Sequence, residues 1–544
     1  MASTAELTAG LEPAAASPRG AAAPIWLRLL ALLIAAGFAV PLLWLVLRNL
    51  GGEGVVAALR GSGALAPLGR SVLLAGCTAV ATAVVGTAAA WLTMRTDLPL
   101  ARVWRVLLCL PLVVPSFIGA FTLLAAFARG GLLDRLLPAG ISPGRIVGFW
   151  GAFGVLTLLT YPYVLLPVSA RLRQLPASLE ESARLLGRGG WSVFTAVVLP
   201  QTSGAILAGS LLVFLYTISD FGAVQLLRYD TLTRAIYASR LDQPTSLAYS
   251  LQLGVLAIAV VAAERALLRG PSRVVGSRDS RALRVALGRW RVAATAGVAG
   301  LAVFALAAPV TVLAYWSARG MLRGSSRATA VTTDPASLLA PMLNTARASV
   351  LTAVVAVVAV LPLAYWTVRY RSRLAGVANA VVVGGFALPG LVVALALVSF
   401  ALRGPLLVGS LYQTLPLLVF AYTVHFGAQS LRTAQVAVAG VPPRVGDAAR
   451  MLGASGVRRF AEIELPLMLP GLLAGGGLVL LSVAKELPAT LLLAPAGFQT
   501  LATRVWNATE DAFWADASLA SLVLIALSGA LTWLLVIRRL DALD

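Results

Sequence analysis

Uncharged apolar runs as long as a bilayer is thick constrain this chain more than any other feature. Val72–Leu92 and Val381–Leu402 contain no charged residue and no polar face. A helix needs about 20 apolar residues to cross a bilayer, whereas a helix on a soluble domain keeps a polar stripe. Only 12% of the 544 residues are charged, against about 25% in soluble domains, and mean hydropathy is +0.88. The pattern predicts an all-α polytopic membrane protein. About twelve spans are expected, near 25–48, 71–94, 104–128, 147–170, 203–226 and 246–267, then 292–315, 348–368, 377–401, 406–429, 468–492 and 517–537. Residues 1–24 read as a disordered tail, because they lack the basic start of a secretory signal.

The net charge of +21 would suggest nucleic acid in a soluble protein. Here the arginines sit in short loops between apolar runs, so no nucleic-acid partner is expected and the charge reports orientation. With the N-terminus inside, 27 of the 42 arginines fall on the cytoplasmic side. Both termini are then expected in the cytoplasm, in a multi-pass protein of the bacterial inner membrane. Arg269–Arg291 holds seven arginines and reads as a basic cytoplasmic linker anchored at lipid head groups. It divides a first half (25–268) from a second (292–544).

The halves repeat. Glu181-Ser-Ala-Arg-Leu-Leu-Gly187 matches Asp447-Ala-Ala-Arg-Met-Leu-Gly453 at an offset of 266, and eight of the twenty positions from 181 to 200 are identical. The same offset superposes Pro176 on Pro442, Phe194 on Phe460, Leu199-Pro200 on Leu465-Pro466 and Asp220 on Glu486. A match of that length in the same place in both halves marks a duplication. Each half has an even number of spans, so the two repeats face the same way, related by an axis along the membrane normal. Two residues separate Arg173 from Pro176, but nine separate Arg432 from Pro442. This spacing predicts seven extra residues before the second motif.

Each motif, in loops 171–200 and 431–466, reads as a short helix, a glycine turn and a second helix. Proline suits a helix start, and glycine accepts the left-handed backbone that ends one. The duplicated segment resembles the Glu-Ala-Ala-x3-Gly loop of the permeases of binding-protein-dependent ABC importers. Ser182 stands where that family usually has Ala, and Asp447 where it has Glu. Asp220-Phe-Gly-Ala223 with Thr231-Leu-Thr233, and Leu487-Pro-Ala-Thr-Leu-Leu-Leu493 with Thr500-Leu-Ala-Thr-Arg-Val-Trp506, resemble the iron(III) branch, in which both halves are commonly fused. Thiamine, phosphonate and polyamine permeases are its relatives.

The resemblance implies a type I importer fold. It implies that Glu181, Ala183 and Gly187, and likewise Asp447, Ala449 and Gly453, form coupling helices that dock on a cytoplasmic ATPase. Two loops in one chain imply two ATPase copies, with a periplasmic binding protein delivering substrate. The chain itself has no Gly-x4-Gly-Lys-Ser/Thr phosphate loop, since its one lysine lies in Ser482-Val-Ala-Lys-Glu486. No cofactor is expected in it, ATP being bound by the partner, and no enzymatic site is evident.

Asp220 and Glu486 fall at equivalent places about 20 residues after each Leu-Pro. Ionisable groups at membrane depth are costly and usually face a cavity. They either line a translocation path, where paired carboxylates suit ferric ion, or serve structure through Lys485 or helix capping. The lone histidine, His425, excludes a His-rich metal site. Cys77 and Cys109 lie in apolar segments, without the spacing of a metal site or a disulfide. Two further classes fit less well: a gradient-driven secondary transporter also uses repeats and buried acids but has no reason to keep the twin loops, and a membrane enzyme would want acids or His clustered in one loop.

Overall fold

The computed structural model describes residues 23–50, 65–136, 146–267, 284–323, 335–370, 372–405 and 409–534. The expected N-terminal tail and most of the basic linker lie outside them. In the first half the helices are α1 (Ile25–Leu50), α2 (Ala66–Arg95), α3 (Ala101–Leu107), α4 (Ser116–Ala126), α5 (Gly148–Thr160), α6 (Pro162–Gln174) and α7 (Ala177–Leu185). They continue as α8 (Gly190–Ser219), α9 (Gly222–Leu226), α10 (Leu232–Ala238) and α11 (Gln243–Leu267). The second half comprises α12 (Gly288–Leu322), α13 (Leu339–Arg369), α14 (Arg373–Ala387), α15 (Gly390–Arg403), α16 (Leu415–Gly440) and α17 (Pro443–Met451). It ends with α18 (Gly456–Ala484), α19 (Pro488–Leu493), α20 (Leu501–Glu510) and α21 (Trp514–Thr532).

Among the described residues, nine helices are long and apolar enough to cross a membrane, or eleven if two bent pairs each count as one span. The bends, 93° before α4 and 105° before α15, follow from Pro115 and Pro389. Both prolines hold extended backbone and begin the next helix, and a proline also disfavours helix in the residue before it. The short arms α4 and α15 are buried over most of their length, where irregular backbone is tolerated at membrane depth. The remaining expected span, near 406–429, corresponds to α16. It is less apolar because it carries His425, Gln429, Arg432 and Gln435, and it packs against α13 and α18 inside the protein.

The repeat extends through the structure. An offset of 274 superposes Arg95 on Arg369 and Pro115 on Pro389; from α5–α6 against α16 onward the offset is 266. The helices leading into the two motifs therefore end in register, at Gln174 and Gly440. The expected seven-residue insertion is not there: Arg173 and Arg432 are not equivalent positions. The length difference lies earlier, between α4 and α5, where the first half is longer.

In each half three helices form the packed centre: α2, α6 and α8 in the first, α13, α16 and α18 in the second. The leading helices cross over. α1 packs on α13, α14 and α15, while α12 packs on α21 and on α4. Each half is thus completed by a helix of the other.

Glycine sets the closest approach in the first half. A Cβ on Gly86 would stand 2.8 Å from the Tyr161 carbonyl oxygen, and one on Gly209 would stand 2.8 Å from that of Tyr163. The start of α6 is gripped between α2 and α8 through these two residues, the small-residue packing typical of membrane helices. Gly204 faces open space. Gly209→Leu should destabilise the protein by about 1–3 kcal/mol, the usual cost of overpacking, and lower the thermal midpoint in detergent. Gly204→Ala should leave it unchanged; equal midpoints for both variants would contradict this crossing.

Candidate coupling loops and central cavity

The two motif loops have one backbone design. Pro176 and Pro442 cap α7 and α17 in extended conformation. Gly187 and Gly453 end them with φ of +81° and +79°. The amides that follow turn back, Arg188 N–H to the Ala183 carbonyl at 3.2 Å and Ala454 N–H to that of Ala449 at 3.0 Å. A left-handed residue at this place closes a helix C-terminus at no steric cost only if it is glycine. Phe194 and Phe460 then pack edge-on against Trp91 and Tyr365, at 5.5 and 6.2 Å.

Exposure divides the motif residues. Ala183 and Ala449 are buried against their own chain, while Glu181 and Asp447 are exposed. What projects is apolar: Leu185 and Leu186 are 89% and 81% exposed, and their equivalents Met451 and Leu452 are 89% and 88% exposed. Trp191 and Val457, also equivalent, stand exposed beside them. The resemblance points to the acid, the alanine and the glycine of each motif and not to these tips. The signal was available, since large apolar residues recur at both copies of a segment too polar to span.

An arginine ties each loop to the membrane core. Arg95 donates to the carbonyls of Leu172 at 2.8 Å and Leu175 at 3.1 Å. Arg369 donates to that of Val441, the equivalent of Leu175, at 2.9 Å. Beyond this the halves differ. Arg95 also faces Glu180 at 3.2 Å, with both side chains buried. Burial pushes the Glu180 carboxyl above its ordinary range, and the charges of Arg95 and Arg184 pull it back. The second half has Gly446 in place of Glu180. There Arg459 pairs with Glu464 at 3.1 Å and the Tyr365 hydroxyl donates to Glu464 at 3.0 Å. The first half has Val193 and Val198 at the positions of Arg459 and Glu464.

Asp220 and Glu486 line one cavity of about 460 Å³ between the halves. Its walls are matched pairs: Ser116 with Gly390, Tyr163 with Gln429, Tyr216 with Ser482, Ser219 with Lys485, and Leu112 with Phe386. Tyr163 and Tyr216 meet with ring centres 5.7 Å apart and planes tilted by 41°; in the other half the Ser482 hydroxyl donates to Gln429 at 3.1 Å. The Ser116 hydroxyl donates to Asp220. Gly390 supplies no such donor. A Cβ there would stand 2.8 Å from Glu486 Oε1 and 3.3 Å from His425 Nε2, so glycine makes room for the longer acid and the histidine.

Of the two structural roles expected for these acids, helix capping operates and the partnership with Lys485 does not. Asp220 accepts from the Ala223 amide at 2.9 Å and Glu486 from that of Ala489 at 3.0 Å, so each caps the next short helix. Lys485 pairs with neither acid; it donates across the halves to the Leu112 carbonyl at 3.3 Å, just before the bend at Pro115. Among the described residues no cluster of three or more His, Cys, Asp or Glu could hold a resident metal.

Twin loops with exposed apolar tips, tied by arginines to membrane helices, and a polar cavity shared by two repeated halves define a membrane transport subunit. The chain belongs to the family of binding-protein-dependent transport system inner membrane components, whose model matches residues 82–270 and 332–543. It is thus a multi-pass permease subunit of an ABC importer in the inner membrane, and its family works with an ATPase and a periplasmic binding protein. It is 31% identical over 521 residues to the Fe(3+)-transport system permease protein FbpB 2 of Haemophilus influenzae, covering 94% of this chain and 98% of that one. The molybdenum permease ModB of Mycobacterium tuberculosis is 33% identical over 200 residues, 35% of this chain and 75% of that one. The putrescine permease PotI of Escherichia coli is 30% identical over 169 residues, 30% of this chain and 56% of that one.

Removing one partner of a buried ion pair costs about 3–5 kcal/mol, because the other charge stays buried alone. Glu180→Ala should therefore loosen the first loop and speed tryptic cleavage after Arg184 and Arg188. Glu181→Ala, at an exposed neighbour, should not. Equal cleavage rates in the two variants would mean that Glu180 does not hold the loop.

Proposed function

We propose that this chain forms the whole membrane path of an ATP-driven importer of ferric iron. Two copies of an ATPase bind the Leu185-Leu186 and Met451-Leu452 tips, and the chain contributes no ATP site of its own. The loops and both termini face the cytoplasm, and a binding protein docks on the opposite face. The observation that carries this reading is the pair of loops with matched apolar tips at one offset. Iron rests on the relative that matches both halves, whereas the molybdenum and putrescine permeases match about a third of the chain.

The geometry suits the task. Each loop is clamped by an arginine to α2 and α6, or to α13 and the end of α16. The same packed centres carry the cavity groups, Tyr163 on α6 and Tyr216 at the far end of α8. Movement of a docked ATPase pulls the loop, and the clamp passes that motion to the cavity walls. Carboxylates and phenols are hard oxygen donors of the kind a small, highly charged cation favours. Glu181, Ala183, Gly187 and their counterparts Asp447, Ala449 and Gly453 shape the docking helices, and the leucines and the methionine fill the partner's grooves. Asp220 and Glu486 meet the cargo as it crosses.

Buried apolar anchors at an interface are worth about 2 kcal/mol or more each, and about 1.4 kcal/mol is tenfold in affinity. Leu186→Asp with Leu452→Asp should therefore abolish co-purification of the ATPase while the permease stays folded. Glu486→Gln should keep the ATPase bound and lower iron uptake about tenfold or more. Normal uptake by an assembled Glu486→Gln complex would remove this acid from the path.

A further inference from the structure

A second polar cavity, of about 1260 Å³, opens at the loop end of the first half, where α2 ends, α3 begins and the linker returns to the core. Four arginines line it, Arg102, Arg105, Arg284 and Arg291, against two carboxylates, Asp97 and Glu181. Asp97 is occupied: it accepts from the Leu287 amide at 2.8 Å. The linker is fastened there by a short parallel bridge, Val285 N–H to the Arg95 carbonyl at 2.8 Å and Asp97 N–H to that of Val285 at 3.2 Å. The position of Arg284 is thus fixed by backbone.

Positive charge is left over. Arg105 stands in the field of Arg173, Arg102 and Arg284. Among the described residues none of these four, nor Arg291, forms an ion pair with a carboxylate. Gathering like charges without a counter-ion costs energy unless an anion joins them. The surroundings of the cavity are apolar. Leu100, Val103 and Val106 are exposed on the α3 side, and Trp290 and Val292 on the α12 side. Tryptophan marks the level of the head groups. Free phosphate would gain nothing from such a border; a lipid places its acyl chains along it.

Among the described residues the second half lacks the α3 part of this cluster. At the offset of 274, Gly376 and Asn379 replace Arg102 and Arg105, and Asn379 already accepts from Gln435 at 2.8 Å.

We propose that this cavity binds the phosphate head group of one anionic phospholipid from the leaflet on the loop side. Guanidinium forks pair with phosphate oxygens in charge-assisted bonds, and anionic leaflets draw clustered arginines. Glu181 of the first motif lines the same cavity, so lipid occupancy bears on the first loop. The inference rests on the chain spanning a membrane and is independent of the cargo.

Native mass spectrometry of the detergent-purified full chain, titrated with phosphatidylglycerol or phosphatidylcholine, tests it. Wild type should retain one phosphatidylglycerol at least tenfold more strongly than phosphatidylcholine. Arg102→Gln with Arg105→Gln should remove that preference. Arg284→Gln alone should weaken it severalfold, and Arg102→Lys with Arg105→Lys should keep most of it. Arg458→Gln, on the second loop, should change nothing. Equal binding of the two lipids, or undiminished preference in the double Gln variant, would overturn the proposal. Displacement of the lipid by millimolar inorganic phosphate would overturn it too, assigning the cavity to a free anion. Loss of ATPase co-purification with lipid binding intact would assign the arginines to the subunit interface instead.

Discussion

The structure depends on how backbone carbonyls are satisfied where the membrane helices give way to the loops. A helix leaves its last carbonyls without internal partners, and a protein interior at membrane depth offers no water to meet them. Arg95 meets those of Leu172 and Leu175, and Arg369 meets that of Val441. A guanidinium suits this because it carries several N–H donors, two of which on Arg95 Nη2 serve both carbonyls, and does not lose its charge. One side chain thereby joins the end of α2, the end of α6 and the start of α7. The loop cannot shift without moving the helices that surround the cavity.

The same clamp serves two loops that are otherwise held differently. In the first half a buried acid from the loop helix itself, Glu180, completes the arginine's environment. In the second, Gly446 leaves that place empty and an ion pair from the following helix, Arg459 with Glu464, fills the neighbourhood. Desolvation weighs heavily on such pairs, so they fix geometry more than they add stability. The two exposed tips are thus alike in shape while their supports are not. The basic cavity beside Glu181 extends this difference.

Much of this was legible in the sequence. The apolar runs marked the nine to eleven apolar helices of the described residues, because a lipid-facing helix has no other composition open to it. The 266-residue offset marked the repeat and both loops, because turn chemistry is local: a proline start and a left-handed glycine end read directly. The shared cavity of Asp220 and Glu486 followed from equivalence and membrane depth. What failed depended on three-dimensional neighbours. Arg173 and Arg432 looked equivalent only because each precedes a proline, and the helix ends show that they are not. Glu180 was passed over for Glu181, since nothing in the sequence places Arg95 beside it. The apolar tips recur at both copies of a segment too polar to span, but that they project outward follows only from the fold. Lys485 was weighed as a partner for an acid, but it reaches the Leu112 carbonyl that the bend at Pro115 leaves available.

The central claim is that docked ATPases drive an inward passage through this one chain. The most direct measurement is ferric iron uptake by proteoliposomes containing the purified chain, its ATPase and its binding protein, with no ion gradient. The account predicts uptake that requires both ATP on the loop side and the iron-loaded binding protein outside. Uptake that proceeds without ATP under an imposed ion gradient would contradict it.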